Sequence, residues 1–114
     1  MAYPYGAFDE RIISLVRECG IEYSRTCCDS HGFDVPEELL EYPASCRHRY
    51  EGISGLIDEF LACNGERPAV LCIWGHSYEF ALDDNWELIE DICRKLTFRD
   101  DIFYGTNSEV YLTK

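Results

Sequence analysis

Six consecutive apolar residues, Ala69 through Trp74, follow Pro68 with no polar side chain among them. The run is too short for a typical helix and fits one strand, and a strand without a polar face must be covered on both sides. A parallel sheet with helices packed on it meets that requirement. The rest of the chain supplies the matching alternation. Residues 9–19 carry Ile12, Ile13, Leu15, Val16 and Cys19 at helical spacing, and Gly20 offers a left-handed stop. Residues 21–26 then alternate Ile21 and Tyr23 with Glu22 and Ser24, which reads as a strand. A second helical stripe, Ile53, Leu56, Ile57, Phe60 and Leu61, ends near Gly65, just ahead of the apolar run. Asp84 and Glu87 have the spacing of a capping box before Leu88, Ile89, Ile92, Cys93 and Leu96, and 102–104 reads as the next short strand.

These units predict one α/β domain over residues 1–114, with mainly parallel strands and helices outside. Segment 27–49 is the exception. Only 36–41 looks briefly helical, so a long functional or poorly ordered loop is expected there. Both ends read as cut. Thr106 to Glu109 forms a second capping box with little helix after it, and the Tyr3-Pro4-Tyr5-Gly6 turn leads into a helix with no strand before it. The sheet is therefore expected to have exposed edges, covered by a second copy of the chain or by a missing N-terminal segment.

Ten basic and 22 acidic residues give a formal charge of −12. That excess argues against binding nucleic acid and against docking on anionic membranes. No stretch approaches the roughly 20 apolar residues of a membrane span, and no signal-peptide pattern opens the chain. The seven cysteines are odd in number and include no Cys-x-x-Cys spacing. Cys19, Cys72 and Cys93 occupy apolar positions, so the cysteines read as small buried hydrophobes in a reducing cytoplasm.

In α/β folds reactive residues gather beyond the carboxyl ends of strands. Three places qualify: the Pro4-Tyr5-Gly6 turn; segment 27–49 with Asp29, His31, Asp34, Cys46, Arg47 and His48; and Trp74-Gly75-His76-Ser77, where the apolar strand ends. His76 is the sharpest candidate for proton transfer near neutral pH, with Glu79 and Asp83 close in sequence. His31 and His48 rank lower. Tyr42, Tyr50 and Trp74 are candidates for a sugar-stacking rim, although core packing is the commoner fate of such residues.

Two strings carry a family resemblance. Ala2-Tyr3-Pro4-Tyr5-Gly6 with Asp9, and Gly20-Ile21-Glu22-Tyr23-Ser24-Arg25-Thr26 after the helix, resemble the third motif and onward strand of polysaccharide deacetylases with the NodB-homology domain. Cys72-Ile73-Trp74-Gly75-His76-Ser77-Tyr78-Glu79-Phe80 resembles the last motif of that family. Phe33-Asp34-Val35-Pro36 and Cys46-Arg47-His48 resemble the connecting region of one bacterial branch. The resemblance implies part of a distorted (β/α) barrel and metal-assisted hydrolysis of N- or O-acetyl groups on sugars, a hydrolase acting on carbon–nitrogen bonds. It implies that the Tyr5 backbone N–H helps hold the oxyanion, Ile73 and Trp74 line the substrate pocket, and His76 protonates the leaving amine. Asp34 is the candidate acid that orients His76.

The departures are as informative. The family's Asp pair and His-x-x-x-His, which supply the base and the ligands of a divalent metal, usually zinc, precede the turn at residue 3 and are missing from this chain. The Arg that opens the third motif is replaced by Ala2 and Tyr3 before Pro4. The chain by itself is therefore expected to contain no metal site and to be inactive on acetylated sugars. Two rivals stand beside this reading: a non-catalytic carbohydrate-binding or self-assembling module, and a different small enzyme built on Cys46, His48 and His76.

Overall fold

Asp9 starts the first helix. Its carboxylate accepts a hydrogen bond from the Ile12 N–H at 2.9 Å and caps α1 (Glu10–Glu18). Gly20, at φ +78°, ends the helical segment as the left-handed residue that glycine adopts without strain. The computed structural model describes residues 1–112. Ile13 and Val16 of α1 are buried against Tyr3 and Leu40, with Phe8 and Ile21 alongside. Ile12, Leu15 and Cys19, expected on the same face, lie exposed because the stripe that reaches the core is narrow.

The sheet is parallel and follows chain order. The bridge from Ala2 to Arg25 places the N-terminal residues beside β1 (Arg25–Asp29). β1 pairs with β2 (Tyr42–Ala44), with Arg25 opposite Tyr42 and Asp29 opposite Ala44. Four steps along β1 match two along β2, so β1 bulges. One residue later, β3 (Cys46–Arg47) pairs with β4 (Ile73–Trp74), with Cys46 opposite Ile73 and Arg47 opposite Trp74. Segment 42–47 thus has β1 on one side and β4 on the other, and it is the most buried strand of the protein: Tyr42, Ala44, Ser45 and Cys46 are each no more than 1% exposed. This corrects the reading of 27–49 as one long loop. Tyr-Pro-Ala-Ser-Cys-Arg has neither β-branched residues nor alternation, so the signal that marks a strand is absent from the one at the centre.

α2 (Ile53–Leu61) and α4 (Trp86–Leu96) cover one face. Ile53, Leu56, Ile57 and Ile92 enclose Cys46, and Leu71 and Ile73 pack onto the same cluster. Lys95 ties the two helices together through Ser54 Oγ at 2.7 Å and Asp58 Oδ1 at 2.9 Å. α3 (Ser77–Asp83), unforeseen in the sequence, follows β4 directly and buries Phe80. Asp84, at φ +50°, ends α3 and so does not cap α4, and the expected box with Glu87 is not made. The box before α5 (Asn107–Tyr111) does form: the Thr106 N–H donates to Glu109 Oε2 at 2.7 Å, and the Glu109 N–H donates to Thr106 Oγ1 at 3.4 Å.

Two further expectations are corrected. Among residues 69–74 only Ile73 and Trp74 are in a strand, and all six are half-buried rather than enclosed, because β4 is the last strand of its sheet. Residues 102–104 form no strand: Phe103 and Tyr104 are exposed, and an apolar groove separates them from 69–71. The molecule measures 40 × 38 × 19 Å, and its short dimension is that of a sheet with one helix layer. No closed barrel forms among the described residues, none of whose helices is long and apolar enough to cross a membrane. The cysteines are all free. Cys46 is buried and Cys72 half-buried, but the other five are exposed, contrary to their reading as buried hydrophobes.

Burial also fixes the response to alkali. It pushes the Cys46 thiol up from 9.0 to about 11, with nearby Asp29 and Cys72 adding to the shift. It also raises Tyr23, Tyr42 and Tyr111 above the ordinary 10.0. These groups favour the folded state while protonated, so their contribution is complete below pH 9 and falls away as pH rises through 11. Urea midpoints are expected to hold from pH 7 to 8.5 and to drop between pH 9 and 11; a flat profile would contradict this assignment. Ile57→Ala, at a site 1% exposed, is expected to lower stability by about 2–5 kcal/mol, while Leu82→Ala, at 72%, changes it little.

Candidate functional site

The carboxyl ends of β1, β3 and β4 open together onto one cleft, as parallel strands require. Side chains alternate along a strand, so Ile73 points into the helix-covered core and Trp74 to the opposite face. There the Trp74 indole N–H donates to Asp29 Oδ1 at 2.8 Å, and the Arg25 guanidinium lies 4.4 Å from the ring centre. Asp29 Oδ2 accepts from the Arg47 backbone N–H at 3.0 Å, so both carboxylate oxygens are engaged. One acid therefore holds β1, β3 and the Trp74 ring in register. Across the cleft, of about 670 Å³, His31 stacks on Tyr50 with centroids 4.1 Å apart. His31 sits at φ +52°, a left-handed conformation that a residue with a β-carbon adopts only under local constraint.

His76 lies at the rim and forms the N-cap residue of α3, while Glu79 stands three positions on, in its first turn. Those are the two side-chain positions that meet in a capping box. Here they bring His76 Nδ1 to 3.1 Å from Glu79 Oε1. The helix start thus supplies the acid that orients the imidazole. Glu79 Oε2 faces His48 Nε2 at 3.4 Å and Arg49 Nε at 3.5 Å, and Arg49 is itself clamped by Asp83 at 2.8 and 3.0 Å. His48 is 3% exposed, and its Nε2 makes no hydrogen bond among the described residues. Its ring packs on Phe80, with centroids 4.3 Å apart.

Gly75 makes room for that histidine. A β-carbon there would sit 1.8 Å from His48 Nδ1. The residue joining the apolar strand to His76 must therefore lack a side chain as long as His48 is buried behind Glu79. At the far end of the same sheet face, Tyr23, Tyr42 and Tyr111 pack together, the first and third rings stacked 4.8 Å apart. This cluster closes the amino end of the face and leaves the carboxyl end open.

The sequence-selected residues therefore part company. His76 and Trp74 lie at the open end, with ring centroids 6.2 Å apart in an edge-to-face arrangement. Tyr5 is fully exposed at φ +56°, followed by Gly6 at φ +68°. A β-carbon on Gly6 would meet Cys27, a residue of the same cleft, so the Tyr5 turn lies over this end of the sheet. Ile73 packs on the helix side instead of lining the pocket. Asp34 is exposed between β1 and β2, and the carboxylate in contact with His76 is Glu79. Cys46, the nucleophile of the rival enzyme, lies in the helix-side core with its thiol raised to about 11 by burial, which removes it as a reactive thiolate near neutrality. Asp29 was legible only as one acid among several, because its role depends on register with Trp74, 45 positions away.

Among the described residues no group of three or more His, Cys, Asp or Glu is arranged to hold a metal ion, so the residues present do not fit the divalent ion that the resemblance implies. No family model, no curated protein and no solved structure matches the chain.

Gly75→Ala is expected to cost about 1–3 kcal/mol through overpacking against His48. The double variant Gly75→Ala/His48→Ala is expected to recover part of that loss. Urea titration of the four proteins in the cycle measures the coupling, and strict additivity would show that the contact is not made.

Proposed function

We propose that this chain carries the acid half of an acetyl-sugar hydrolase site of the polysaccharide-deacetylase type. The observation that supports it is His76 at the carboxyl end of a parallel strand, its Nδ1 engaged by Glu79 at 3.1 Å and Trp74 beside it. With Nδ1–H donating to the carboxylate, it is the imidazolium form that also carries a proton on Nε2, and that second proton is the one a substrate can take. When water adds to the acetyl carbonyl and the carbon–nitrogen bond breaks, the leaving amine takes that proton and acetate departs. Tyr5, with its left-handed backbone, presents its N–H as the donor to the oxyanion. Glu79 takes the orienting role that the resemblance gave to Asp34. No step is drawn through a metal, and the chain alone is proposed to be inactive on acetylated sugars. The half-buried outer side of β4 is where a further strand or a second copy would pair. The rival reading, a sugar-binding module without chemistry, draws on exposed Tyr5 and Tyr78 around the same rim.

Titrating the ¹⁵N-labelled chain with an N-acetylglucosamine trimer is expected to shift the Trp74 indole and His76 ring signals, without release of acetate. Glu79→Gln is expected to erase the preference of His76 for the Nδ1–H tautomer, read from its ring ¹⁵N shifts. Perturbations confined to residues away from this rim, or acetate release that survives His76→Ala, would overturn the reading.

A further inference from the structure

Arg47 stands out by its place: it is a cation without a carboxylate partner among the described residues that lines the cleft of Asp29 and Trp74. With 22 acids against 10 bases, five cations find a carboxylate among the described residues: Arg17 pairs with Glu38, Arg49 with Glu79 and Asp83, Arg94 with Glu90 and Asp91, Lys95 with Asp58, and Arg99 with Asp101. The Arg47 guanidinium has no ion pair or hydrogen bond among the described residues, although it lines the same cleft as Asp29. Asp29 lies in the same cleft, and its oxygens accept from the Trp74 indole and from the backbone N–H of Arg47 itself. The acid that anchors the Arg47 main chain makes no hydrogen bond with its guanidinium, and the side chain is left with its fork of donors unused among the described residues.

The walls around that guanidinium suit a ring. Trp74 is fixed in one orientation by Asp29 and Arg25, and the His31–Tyr50 stack stands on the other side of the cleft. Aromatic faces of this kind take the apolar face of a sugar, and a planar guanidinium takes a carboxylate by two parallel hydrogen bonds.

The geometry points to a binding site for a sugar bearing a carboxylate, a uronic-acid unit, with its acid group on Arg47 and its ring between Trp74 and the Tyr50 wall. This rests on the proposed function and names the substrate class: an acetylated saccharide that also contains uronate. The local charges favour one negative charge over two. Glu51 also lines the cleft, Arg49 is neutralised by Asp83, and the chain as a whole is at −12, so a dianionic sugar phosphate meets repulsion that a monoanion largely escapes. At physiological salt, charges beyond roughly 8 Å are screened, so contact with Arg47 decides.

Isothermal titration of the 114-residue chain tests this with three probes: an N-acetylglucosamine tetramer, a tetrasaccharide alternating N-acetylglucosamine with glucuronate, and N-acetylglucosamine 6-phosphate. The uronate probe is expected to bind most tightly. Arg47→Ala should weaken it by about tenfold or more, Arg47→Lys should recover only part, and binding of the neutral tetramer should stay unchanged. Arg47 is exposed, so the variants should keep the parent's circular dichroism and melting curve. The inference fails if the neutral tetramer or the phosphate binds as tightly as the uronate, if Arg47→Ala leaves uronate binding intact, or if no probe binds. The two readings separate cleanly. Uronate binding that depends on Arg47, with His76 ring signals unmoved, sustains the cleft and counts against the acid half-site. His76 and Trp74 shifts with a neutral sugar, indifferent to Arg47, do the reverse.

Discussion

The pairing of segment 42–48 with a strand on each side is the constraint on which everything else rests. Around residues 44–46 its carbonyls face the β1 side and its N–H groups face the β4 side, so one segment serves both neighbours. Ala44 and Ser45 carbonyls accept from the Ser30 and His31 N–H groups, while the Ser45 and His48 N–H groups donate to the Cys72 and Trp74 carbonyls. Without this segment β1 and β4 have nothing in common. With it, Asp29, Arg47 and Trp74 arrive at one end of one sheet face although they are far apart in the chain. The segment also separates two environments. Cys46 and Ile73 point into an apolar core with α2 and α4, whereas Arg47 and Trp74 point into an open polar cleft.

The same alternation places His48 at the end of the segment, under the turn at Gly75. Two strand ends and one helix start converge there. His48 leaves β3, Gly75 leaves β4, and Glu79 belongs to the first turn of α3. Packing sets the order of dependence: a buried imidazole excludes any side chain at position 75, and a short turn there starts α3 at once, bringing Glu79 under His76. Asp83 at the end of α3 then holds Arg49, whose guanidinium also faces Glu79. The group that orients His76 is thus supported by packing at its back and by charge at its side.

How much of this could be read in the sequence follows from which signals are local. α1, α2 and α4 were visible because their apolar spacing is periodic, and the Thr106 box was visible because a cap is a four-residue motif. The parallel α/β arrangement followed from the unbroken apolar run, although that run proved half-buried at the sheet's edge. The central strand was not visible, because Pro43, Ala44 and Ser45 carry no strand signal and are chosen instead by closeness of packing. Asp84 misled because its spacing to Glu87 is right while its backbone is left-handed. In the site, His76 was legible from its place after a strand. Glu79 stood beside it in the sequence as one of three candidate acids, and choosing it over Asp34 and Asp83 needs the knowledge that α3 begins at residue 77.

Among the described residues His76 is oriented by Glu79, which His48 and Arg49 face in turn. In a metal-assisted hydrolase the ion supplies the attacking water and the largest share of rate enhancement, while the acid acts later, at the leaving group. Those tasks need different residues, and only the second is proposed for this chain. On the proposed reading, a site divided in that way keeps its power to orient a substrate when the hydrolytic step is absent, because Trp74 is held by Asp29 and Arg25 and His76 by Glu79. Under that proposal, ligand recognition and proton delivery are separable from the activation of water.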